Sequence, residues 1–355
     1  MIDRQAIVMK GKTMKKTLCM IFLCGFAAWS LCACGETSGN TPEKVQVGVT
    51  YYNQTDTFLR ELIDCYKNDL ESRKTEDLEV TVMVREAAGS EKTQNEQVEE
   101  LIDAGCNVLC VNLVDRADPS EIIDMARERD IPLIFFNREP VAEDMMQWDK
   151  TYYVGAVARQ SGELQGEMAA EVIKEGKVDK NGDGKIQYVI LEGEADHQDA
   201  IIRTESVVNT LKENRIALEK LSYQIANWNR AQAQNRMQQM IRQFHDEIEL
   251  VLANNDDMAA GAIDAYDELN YTEESRPVFF GVDGTSVGLQ AVRDGDFAGT
   301  VYNDKEGQAS AMAELSVALG TGEGLEDIAF ENDRYIYLPY LKVTGDNVEE
   351  FMDRQ

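Results

Sequence analysis

The 355-residue chain has few of the residues and motifs that usually carry catalysis. It contains only two histidines, His197 and His245, and His245 falls near the end of an amphipathic stretch, where a surface position is expected. No GxGxxG or GxxxxGK[ST] motif follows a predicted strand, so a nucleotide-phosphate site is not supported. Carboxylates are abundant and a glycosidase pair is not excluded, but the sequence marks none of them by an apolar setting that would raise its pKa. The sequence therefore favours a protein that is not an enzyme.

Basic residues are also scarce. The chain has 35 Lys and Arg against 65 Asp and Glu, for a formal net charge of −30. Residues 1–33 hold five of the bases and one of the acids, so the remaining chain carries −34. Such an acidic surface repels nucleic acid, which excludes that class of partner.

Cysteine pairs suited to disulfides or metal ligation are absent as well. Of seven cysteines, four follow residue 33: Cys34, Cys65, Cys106 and Cys110. Cys106 and Cys110 flank a predicted strand, which separates them by roughly 13 Å, too far for a disulfide. We expect Cys65, Cys106 and Cys110 to be free thiols.

The N-terminal segment has the organisation of an export signal. Lys15 and Lys16 precede an apolar run from Leu18 to Leu31, which is short for a membrane span. Leu31-Cys32-Ala33-Cys34 resembles the cleavage site of a bacterial lipoprotein, which implies removal of residues 1–33 and acylation of Cys34. An ordinary secretory signal is the alternative, and Met14 is an alternative start. Residues 34–44 have the composition of a flexible tether.

Beyond the tether, short apolar runs alternate with amphipathic stretches up to the last predicted strand, residues 335–343. Apolar runs that are regularly followed by helices indicate parallel sheets covered on both faces. More than ten strands are too many for one ordinary open sheet. Two doubly wound domains are therefore favoured over a single barrel.

Polar residues collect where five predicted strands end. These are Asn137-Arg138-Glu139, His197 to Asp199 with Arg203, Asn254-Asn255-Asp256, Asp283, and Asn303-Asp304. In parallel α/β sheets, ligands bind outside the carboxyl ends of the strands. Asn, Asp and Arg there can hold adjacent hydroxyls of a sugar, and Phe58 and Trp228 can pack on its C–H faces. The alternative is that the Asn and Asp residues simply cap the helices that follow.

The segment 179–187, DKNGDGKIQ, matches three-quarters of a calcium-binding loop. Asp179, Asn181 and Asp183 alternate, and Gly184 occupies the sixth position, where a sharp turn is needed. The twelfth position, which should be a bidentate Glu, is Ile190. The residues alone leave three interpretations open: a site lacking its main acid, an acidic turn, or a site completed from elsewhere.

Nine stretches together resemble the galactose/glucose-binding receptors of bacteria, the sugar-binding proteins of methyl-galactoside ABC transporters. They run in order through essentially the whole chain after the tether. The stretches are VGVTYYNQTDTF (47–58), NLVDRAD (112–118), FFNREP (135–140), YYVGAVARQSGELQG (152–166), DKNGDGKIQYVILEGEADHQDAIIRT (179–204), NWNRAQAQNRM (227–237), LANNDDMAAGA (252–262), FGVDG (280–284) and GTVYND (299–304).

The resemblance implies the α/β fold of a type I periplasmic binding protein. Two doubly wound, Rossmann-like lobes would be joined by a three-strand hinge near Gly155, Asn303 and Pro339. The N-terminal lobe would comprise residues 45–155 and 304–337, and the C-terminal lobe residues 156–303 and 338–355. The lobes of such receptors close on their ligand.

The resemblance also implies two sets of ligand-binding residues. Phe58 and Trp228 would sandwich the sugar ring, and the polar contacts would come from Asp56, Asn137, His197, Asp199, Arg203, Asn255, Asp283 and Asn303. A structural Ca²⁺ would be bound by side chains of Asp179, Asn181, Asp183, Gln187 and Glu249, and by the backbone carbonyl of Lys185.

The function implied is that of a monomeric extracytoplasmic receptor, held at the membrane by its lipid. It would deliver D-galactose, D-glucose or a methyl-galactoside to the permease of an ABC transporter. The same fold tuned to another ligand, such as a pentose or a cyclitol, is the alternative.

Overall fold

The computed structural model describes residues 42–195 and 197–354. The predicted signal peptide, the lipidation site Cys34 and most of the tether lie outside these residues. The strand predicted from residue 45 begins at Glu43, because Glu43 and Lys44 already pair with Leu78 and Glu79. The last two residues of the predicted tether therefore belong to the sheet.

The described residues form twelve strands and eleven helices. In chain order the strands are β1 (Glu43–Tyr51), β2 (Leu78–Glu86), β3 (Val108–Val111), β4 (Leu133–Phe136), β5 (Thr151–Ala156), β6 (Ile186–Glu192), β7 (Leu218–Ile225), β8 (Leu250–Ala253), β9 (Val278–Phe280), β10 (Thr300–Asn303), β11 (Tyr335–Leu338) and β12 (Tyr340–Val343). The helices are α1 (Thr57–Ser72), α2 (Glu91–Asp103), α3 (Ser120–Glu128), α4 (Ala142–Met145), α5 (Ala158–Lys174), α6 (Gln198–Glu213), α7 (Arg230–Phe244), α8 (Asp256–Glu268), α9 (Ser286–Asp294), α10 (Lys305–Thr321) and α11 (Val348–Met352).

Two parallel sheets organise the fold. One has six strands in the order β11-β5-β4-β3-β1-β2, and the other has four in the order β7-β6-β8-β9. Both begin with the same winding, in which the first strand of the series lies between the second and the third. This confirms the predicted doubly wound α/β fold with two lobes. We refer to the lobe built on the six-stranded sheet as the N-terminal lobe and to the other as the C-terminal lobe.

Each sheet is covered on both faces by buried apolar side chains. Two apolar clusters flank the six-stranded sheet and two flank the four-stranded sheet. The central strands β3, β4 and β8 are buried at every position, as expected for strands packed between helix layers. Cys106 and Cys110 belong to this interior, and Cys65 is half-buried; all three are free thiols, as predicted.

The chain crosses between the lobes at three places. It leaves the six-stranded sheet after β5, returns between β10 and α10, and leaves again between β11 and β12. Residues 335–343, predicted as one strand, form two strands because Pro339 interrupts them and their partners differ: β11 pairs with β5, and β12 pairs with β10. We propose that the lobes divide at these crossings.

Among residues 42–195 and 197–354, no helix has both the length and the apolar character needed to cross a membrane.

Candidate functional site

A cleft between the lobes collects polar and aromatic side chains from the carboxyl ends of strands in both sheets. It encloses about 350 Å³ of empty space, counting its open mouth. The space is small, so the cleft suits a small molecule. The lining residues are Tyr52, Asp56, Phe58, Asn137, Arg138, His197, Asp199, Arg203, Trp228, Asn255 and Asp283.

Nine of the ten predicted sugar-contacting residues line this cleft, and the tenth, Asn303, does not. Asn303 ends β10 and is buried beside the cleft wall, where its side-chain oxygen accepts a hydrogen bond from Gln308 Nε2 at 2.6 Å. Its backbone N–H donates to the carbonyl of Asp283, which does line the cleft. Asn303 is therefore joined to the lining of the cleft through the backbone of Asp283.

Tyr52 and Arg138 also line the cleft, although neither is among the ten predicted sugar-contacting residues. The Arg138 guanidinium lies over the Tyr52 ring, 3.6 Å from its centroid, and the Tyr52 hydroxyl donates to Asp56 at 2.8 Å. Arg138 also donates to the Val114 carbonyl at 2.9 Å, which orients its planar group. Arg138 directly follows Asn137 after β4, within the polar group Asn137-Arg138-Glu139 that the sequence places at a strand end.

The Asp56, His197 and Asn255 side chains also cap helices. Asp56 Oδ1 accepts from the backbone N–H of Leu59, and Asn255 Oδ1 accepts from that of Met258, both at 3.0 Å. His197 Nδ1 accepts from the backbone N–H of the second residue of α6 at 3.1 Å. These residues therefore cap helices and also line the cleft. Each cap fixes the orientation of its side chain.

His197 is held in one neutral form. Burial lowers its pKa well below 6.5, and Arg138 and Arg203 nearby lower it further. Because Nδ1 accepts a backbone hydrogen bond, the proton of the neutral ring lies on Nε2. His197 therefore offers the cleft one hydrogen-bond donor.

Arg203 is the most strongly held polar group in the C-terminal wall. It is 4% exposed, and it donates to the Asn254 carbonyl at 2.7 Å, to the Tyr340 hydroxyl at 3.0 Å and to Asp283 Oδ1 at 3.4 Å. Its Nε has no protein partner although it is buried. An unpartnered buried donor is costly, so this N–H is available to a ligand atom.

Burial raises the pKa of both carboxylates in this wall. For Asp199 and for Asp283, desolvation is the largest cause, and the Arg203 guanidinium opposes it. The wall thus combines carboxylate acceptors with guanidinium and imidazole donors. Adjacent hydroxyl groups on a small molecule, each both donor and acceptor, match that combination.

Two buried aromatic rings complete the cleft. Phe58 comes from the first turn of α1 and Trp228 from the loop between β7 and α7, and they are 4% and 8% exposed. The Trp228 ring lies edge-on to His197, with 5.2 Å between ring centroids. Gly193 makes room for it, since a Cβ there would lie 2.2 Å from Trp228 Cζ2.

Three residues of the cleft have a strained backbone. Asn137, Trp228 and Asp283 have φ angles of 61°, 58° and 109°, a region that residues other than glycine rarely adopt. Strained residues persist where the surrounding structure holds them in place, and they cluster at functional sites.

A buried carboxyl, that of Asp256, lies at the start of α8, next to Asn255. It accepts from the backbone N–H and hydroxyl of Thr285, at 2.8 and 3.0 Å, and from the Thr300 hydroxyl at 2.5 Å. Burial raises its pKa to about 7. The Asp256 carboxyl thereby joins α8 to the segment before α9 and to β10.

The chain contains one GxSxG pattern, Gly284 to Gly288, which follows β9. Such a pattern can present a nucleophilic serine if a histidine activates it. The Ser286 hydroxyl instead donates to the Glu61 carboxylate at 2.5 Å. Ser286 therefore makes a contact between the lobes, and the pattern gives no support to a hydrolase.

The predicted calcium loop runs into the first two residues of β6, and its oxygen-bearing side chains lie close together. Asp183 Oδ2 accepts from Gln187 Nε2 at 3.0 Å, and Gln187 Oε1 accepts from Asn181 Nδ2 at 3.1 Å. Asp179 accepts from the N–H groups of Gly182 and Gly184. The Lys185 ammonium forms a salt bridge with Glu219, outside the loop.

Glu249 reaches the same loop from the residue before β8. Its carboxylate accepts from the backbone N–H groups of Lys180, Asn181 and Gln187, at 2.6, 3.3 and 3.1 Å. A carboxylate from a distant part of the chain therefore lies against the loop. Within residues 42–195 and 197–354, however, no three His, Cys, Asp or Glu side chains are grouped closely enough to hold a metal ion by themselves. A metal ion at this loop would therefore also need the amide oxygens of Asn181 and Gln187 as ligands.

Comparisons with known proteins place the chain among ligand receptors. Residues 47–324 match the family model described as a periplasmic binding protein domain. The D-galactose/methyl-galactoside binding periplasmic protein MglB of Haemophilus influenzae is 32% identical over 324 residues, which are 90% of this chain and 96% of that protein. The xylitol-binding protein of Mycolicibacterium smegmatis is 29% identical over 90% of this chain and 82% of its own length.

A solved structure agrees with these sequence relationships. An ABC transporter solute-binding protein from Bacillus halodurans, with bound myo-inositol, superposes with a TM-score of 0.74 at 27% identity. The match covers 90% of this chain and 100% of that one.

Proposed function

The chain belongs to the family of periplasmic binding proteins, and on that premise we propose that it is the extracytoplasmic sugar receptor of an ABC transporter. Members of this family bind substrates and do not convert them. The observation that carries the proposal is the cleft itself. Two buried aromatic residues, Phe58 and Trp228, stand among buried hydrogen-bonding groups from both lobes. A sugar has apolar faces and hydroxyl edges, and this arrangement complements both.

Each side chain would act by binding and orienting the sugar. His197 Nε2–H and Arg203 Nε–H donate, and Asp56, Asp199 and Asp283 accept. Since the contacts come from two lobes, all of them can form only when the lobes are together. Binding the sugar therefore favours the closed form, which the permease would receive.

We propose D-galactose, D-glucose or a methyl-galactoside as the ligand. The support is the likeness to the galactose/methyl-galactoside binding protein at 32% identity over nearly the full length of both chains. The same fold tuned to another ligand, such as a pentose or a cyclitol, is a second candidate, because one relative of similar likeness is named a xylitol-binding protein and one solved structure has bound myo-inositol.

A titration panel separates these candidates. The purified protein is titrated by calorimetry with galactose, glucose, methyl-galactoside, xylose, xylitol and myo-inositol. We expect a hexose to bind most tightly and to change Trp228 fluorescence. If a pentose or cyclitol binds best, the second candidate replaces the first, and if nothing binds, the receptor function is wrong.

The two histidines provide a matched pair of variants. His197→Ala removes a donor in the cleft and should weaken binding by about tenfold, the effect of about 1.4 kcal/mol. His245→Ala changes an exposed residue of the same type and should leave the Kd unchanged. Equal effects of the two substitutions would contradict the assignment.

We also propose that the 179–187 loop binds a structural Ca²⁺ together with Glu249. Oxygen atoms of Asp179, Asn181, Asp183, Gln187 and Glu249, with the Lys185 carbonyl, are the hard ligands that calcium prefers. Calcium should raise the melting temperature of the protein but not that of Glu249→Gln. Glu247→Gln, an exposed neighbour, serves as the control. A parent protein that calcium does not stabilise would refute the site.

Attachment by a lipid on Cys34 is a further part of this proposal. Labelling of cells with a radioactive fatty acid should mark the parent and Cys32→Ser but not Cys34→Ser, and the latter should leave the membrane fraction. We propose that the mature receptor is a monomer, which light scattering of the purified protein can test.

A further inference from the structure

Lys305 is a buried lysine at the seam between the lobes, outside the lining of the cleft. It is the first residue of α10, which packs on the N-terminal lobe, and it is 2% exposed. Its ammonium donates to the backbone carbonyl of Gly284 in the C-terminal lobe at 3.3 Å. A buried charge is costly unless it is paired and hydrogen-bonded, so specific partners must hold this ammonium where it lies.

Two carboxylates of the N-terminal lobe fix the position of the ammonium. Glu61 Oε2 lies 3.3 Å from Lys305 Nζ, and Glu306 Oε1 lies 3.6 Å from it. The Tyr302 ring lies on a further side, with its centroid 5.1 Å from Nζ, which is within the range of a cation–π contact. The charge that reaches Gly284 is therefore carried and balanced by the N-terminal lobe.

The carbonyl that accepts from Lys305 belongs to a strained turn that presents a residue of the cleft. Asp283, which lines the cleft, and Gly284 both have positive φ angles, 109° and 61°. A Cβ on Gly284 would lie 2.5 Å from Tyr302 Cδ2, so the turn is pressed against β10 at a position where only glycine fits. A strained backbone keeps its conformation where neighbouring groups hold it.

Backbone hydrogen bonds hold this turn from both lobes. Those from the C-terminal lobe join the Asp283 N–H to the Val301 carbonyl at 2.8 Å, the Asn303 N–H to the Asp283 carbonyl at 3.0 Å, and the Thr285 N–H to Asp256 Oδ2 at 2.8 Å. The bond from Lys305 to the Gly284 carbonyl comes from the opposite lobe. Lys305 thus supplies one of the anchors of the turn that carries Asp283.

We propose that Lys305 is a positioning residue of the ligand site, which acts through the Gly284 carbonyl to hold the Asp283 carboxylate toward the cleft. Because its ammonium belongs to the other lobe, it orients Asp283 when the lobes are together. Closure then completes the set of acceptors in addition to enclosing the ligand. This inference rests on the proposed sugar-receptor function.

Calorimetric titration of lysine variants with D-galactose tests this role. Lys305→Met removes the charge and keeps the length of the side chain, and it should weaken binding by about tenfold, the effect of one hydrogen bond from a charged donor. Lys67→Met removes an exposed ammonium from the same lobe and should leave the Kd unchanged. Should Lys305→Met fail to fold, Lys305→Gln replaces it in each measurement, because its amide is one atom too short to keep the contact with Gly284.

A double-mutant cycle decides whether the effect passes through Asp283. In an Asp283→Ala background, Lys305→Met should weaken galactose binding by less than about twofold, because the carboxylate that it positions has been removed. A loss of about tenfold in both backgrounds would overturn the proposal, since Lys305 would then act independently of Asp283. An unchanged Kd in the single Lys305→Met variant would overturn it as well.

Hydrogen exchange of the unliganded protein tests the same anchor without any sugar. The amides of Asp283 and Asn303, which join the turn to β10, should exchange about tenfold faster in Lys305→Met, whereas that of Leu252 in the buried strand β8 should not change. Unchanged exchange at Asp283 and Asn303 would contradict the proposal. If the parent binds no sugar, the receptor function fails and the positioning role with it, and the exchange rates still decide whether Lys305 anchors the turn.

Discussion

The contact between Glu61 and Ser286 allows a direct test of closure. Glu61 lies on α1 of the N-terminal lobe, and Ser286 is the first residue of α9 in the C-terminal lobe. The Glu61 carboxylate accepts from the Ser286 hydroxyl at 2.5 Å and from its backbone N–H at 3.0 Å. Separation of the lobes must break both hydrogen bonds. They therefore stabilise the closed form selectively.

Ser286→Ala should weaken sugar binding by about fivefold. The substitution removes the hydroxyl, keeps the backbone donor, and leaves Glu61 beside its other partner, the Lys305 ammonium at 3.3 Å. A hydrogen bond to a charged group contributes about 1.5–3 kcal/mol when buried. Because the Glu61 side chain is 20% exposed, solvent reduces this to about 1 kcal/mol. A loss of about 1 kcal/mol in the closed form alone is about fivefold in Kd.

The assay is calorimetric titration with whichever sugar binds, together with thermal unfolding of the ligand-free protein. Because the lost bond belongs to the closed form, the ligand-free melting temperature should shift by less than about 2 °C. Asp64→Asn is a suitable control, since Asp64 is on the same helix and pairs in solvent with Lys67. That variant should bind sugar normally.

A double-mutant cycle decides whether the partner is Glu61. In a Glu61→Ala background, Ser286→Ala should have almost no further effect on Kd, because the hydroxyl has lost its acceptor. An unchanged Kd in the single Ser286→Ala variant would refute the reasoning. So would a loss of equal size in both backgrounds.

Three further predictions concern the interior. Gly193→Ala should displace the Trp228 indole, because its Cβ would lie 2.2 Å from Cζ2, and should weaken sugar binding by at least about tenfold in a fluorescence titration. The folded pKa of Asp256 is raised to about 7 from an ordinary 3.8. The Asp256 carboxyl therefore contributes its full stabilisation of the folded protein below about pH 4, and this stabilisation is lost as the pH rises through about 7. The total loss is about 4 kcal/mol, at 1.36 kcal/mol per pKa unit. Urea unfolding should show a smaller decrease in stability between about pH 5 and pH 8 for Asp256→Asn than for the parent. Cys106 and Cys110, whose pKa values burial raises to about 11, should not react with a thiol reagent at about pH 8 in the folded protein.

Each of these three has a simple control. Gly345→Ala adds a methyl group where no atom lies within 4 Å and should leave binding intact. Equal pH dependence of the parent and Asp256→Asn would show that another group is responsible. Full thiol reactivity in guanidinium establishes that the reagent detects both cysteines, and rapid reaction without denaturant would contradict their burial.

The sequence predicted the fold because each strand and helix carries its own local signal. Continuous apolar runs marked the central strands, and polar residues directly after them marked the cleft. The exception was residues 335–343, where the apolar pattern continues through Pro339 and only the identity of the pairing partners separates β11 from β12. Pairing partners depend on tertiary structure, which a local pattern does not contain.

The cleft residues outside the predicted set show the same limit. Tyr52 precedes Asp56 by four residues, and Arg138 follows Asn137, but the contact between Tyr52 and Arg138 joins loops that are 86 residues apart in sequence. Asn303 was predicted to contact the sugar, and in the structure its side chain is bonded to Gln308. Residue type and position at a strand end identify candidates, whereas the direction of each side chain is set by packing between the lobes.

The helix caps in the cleft affect how its specificity can be altered. A substitution at Asp56, His197 or Asn255 changes ligand recognition and also removes a cap, at a cost of about 1 kcal/mol of folding stability. Phe58 and Asp199 line the same cleft and cap no helix through their side chains. Evolution toward a new ligand is therefore less constrained at Phe58 and Asp199. A library designed to turn this protein into a sensor for another polyol should randomise those two positions first.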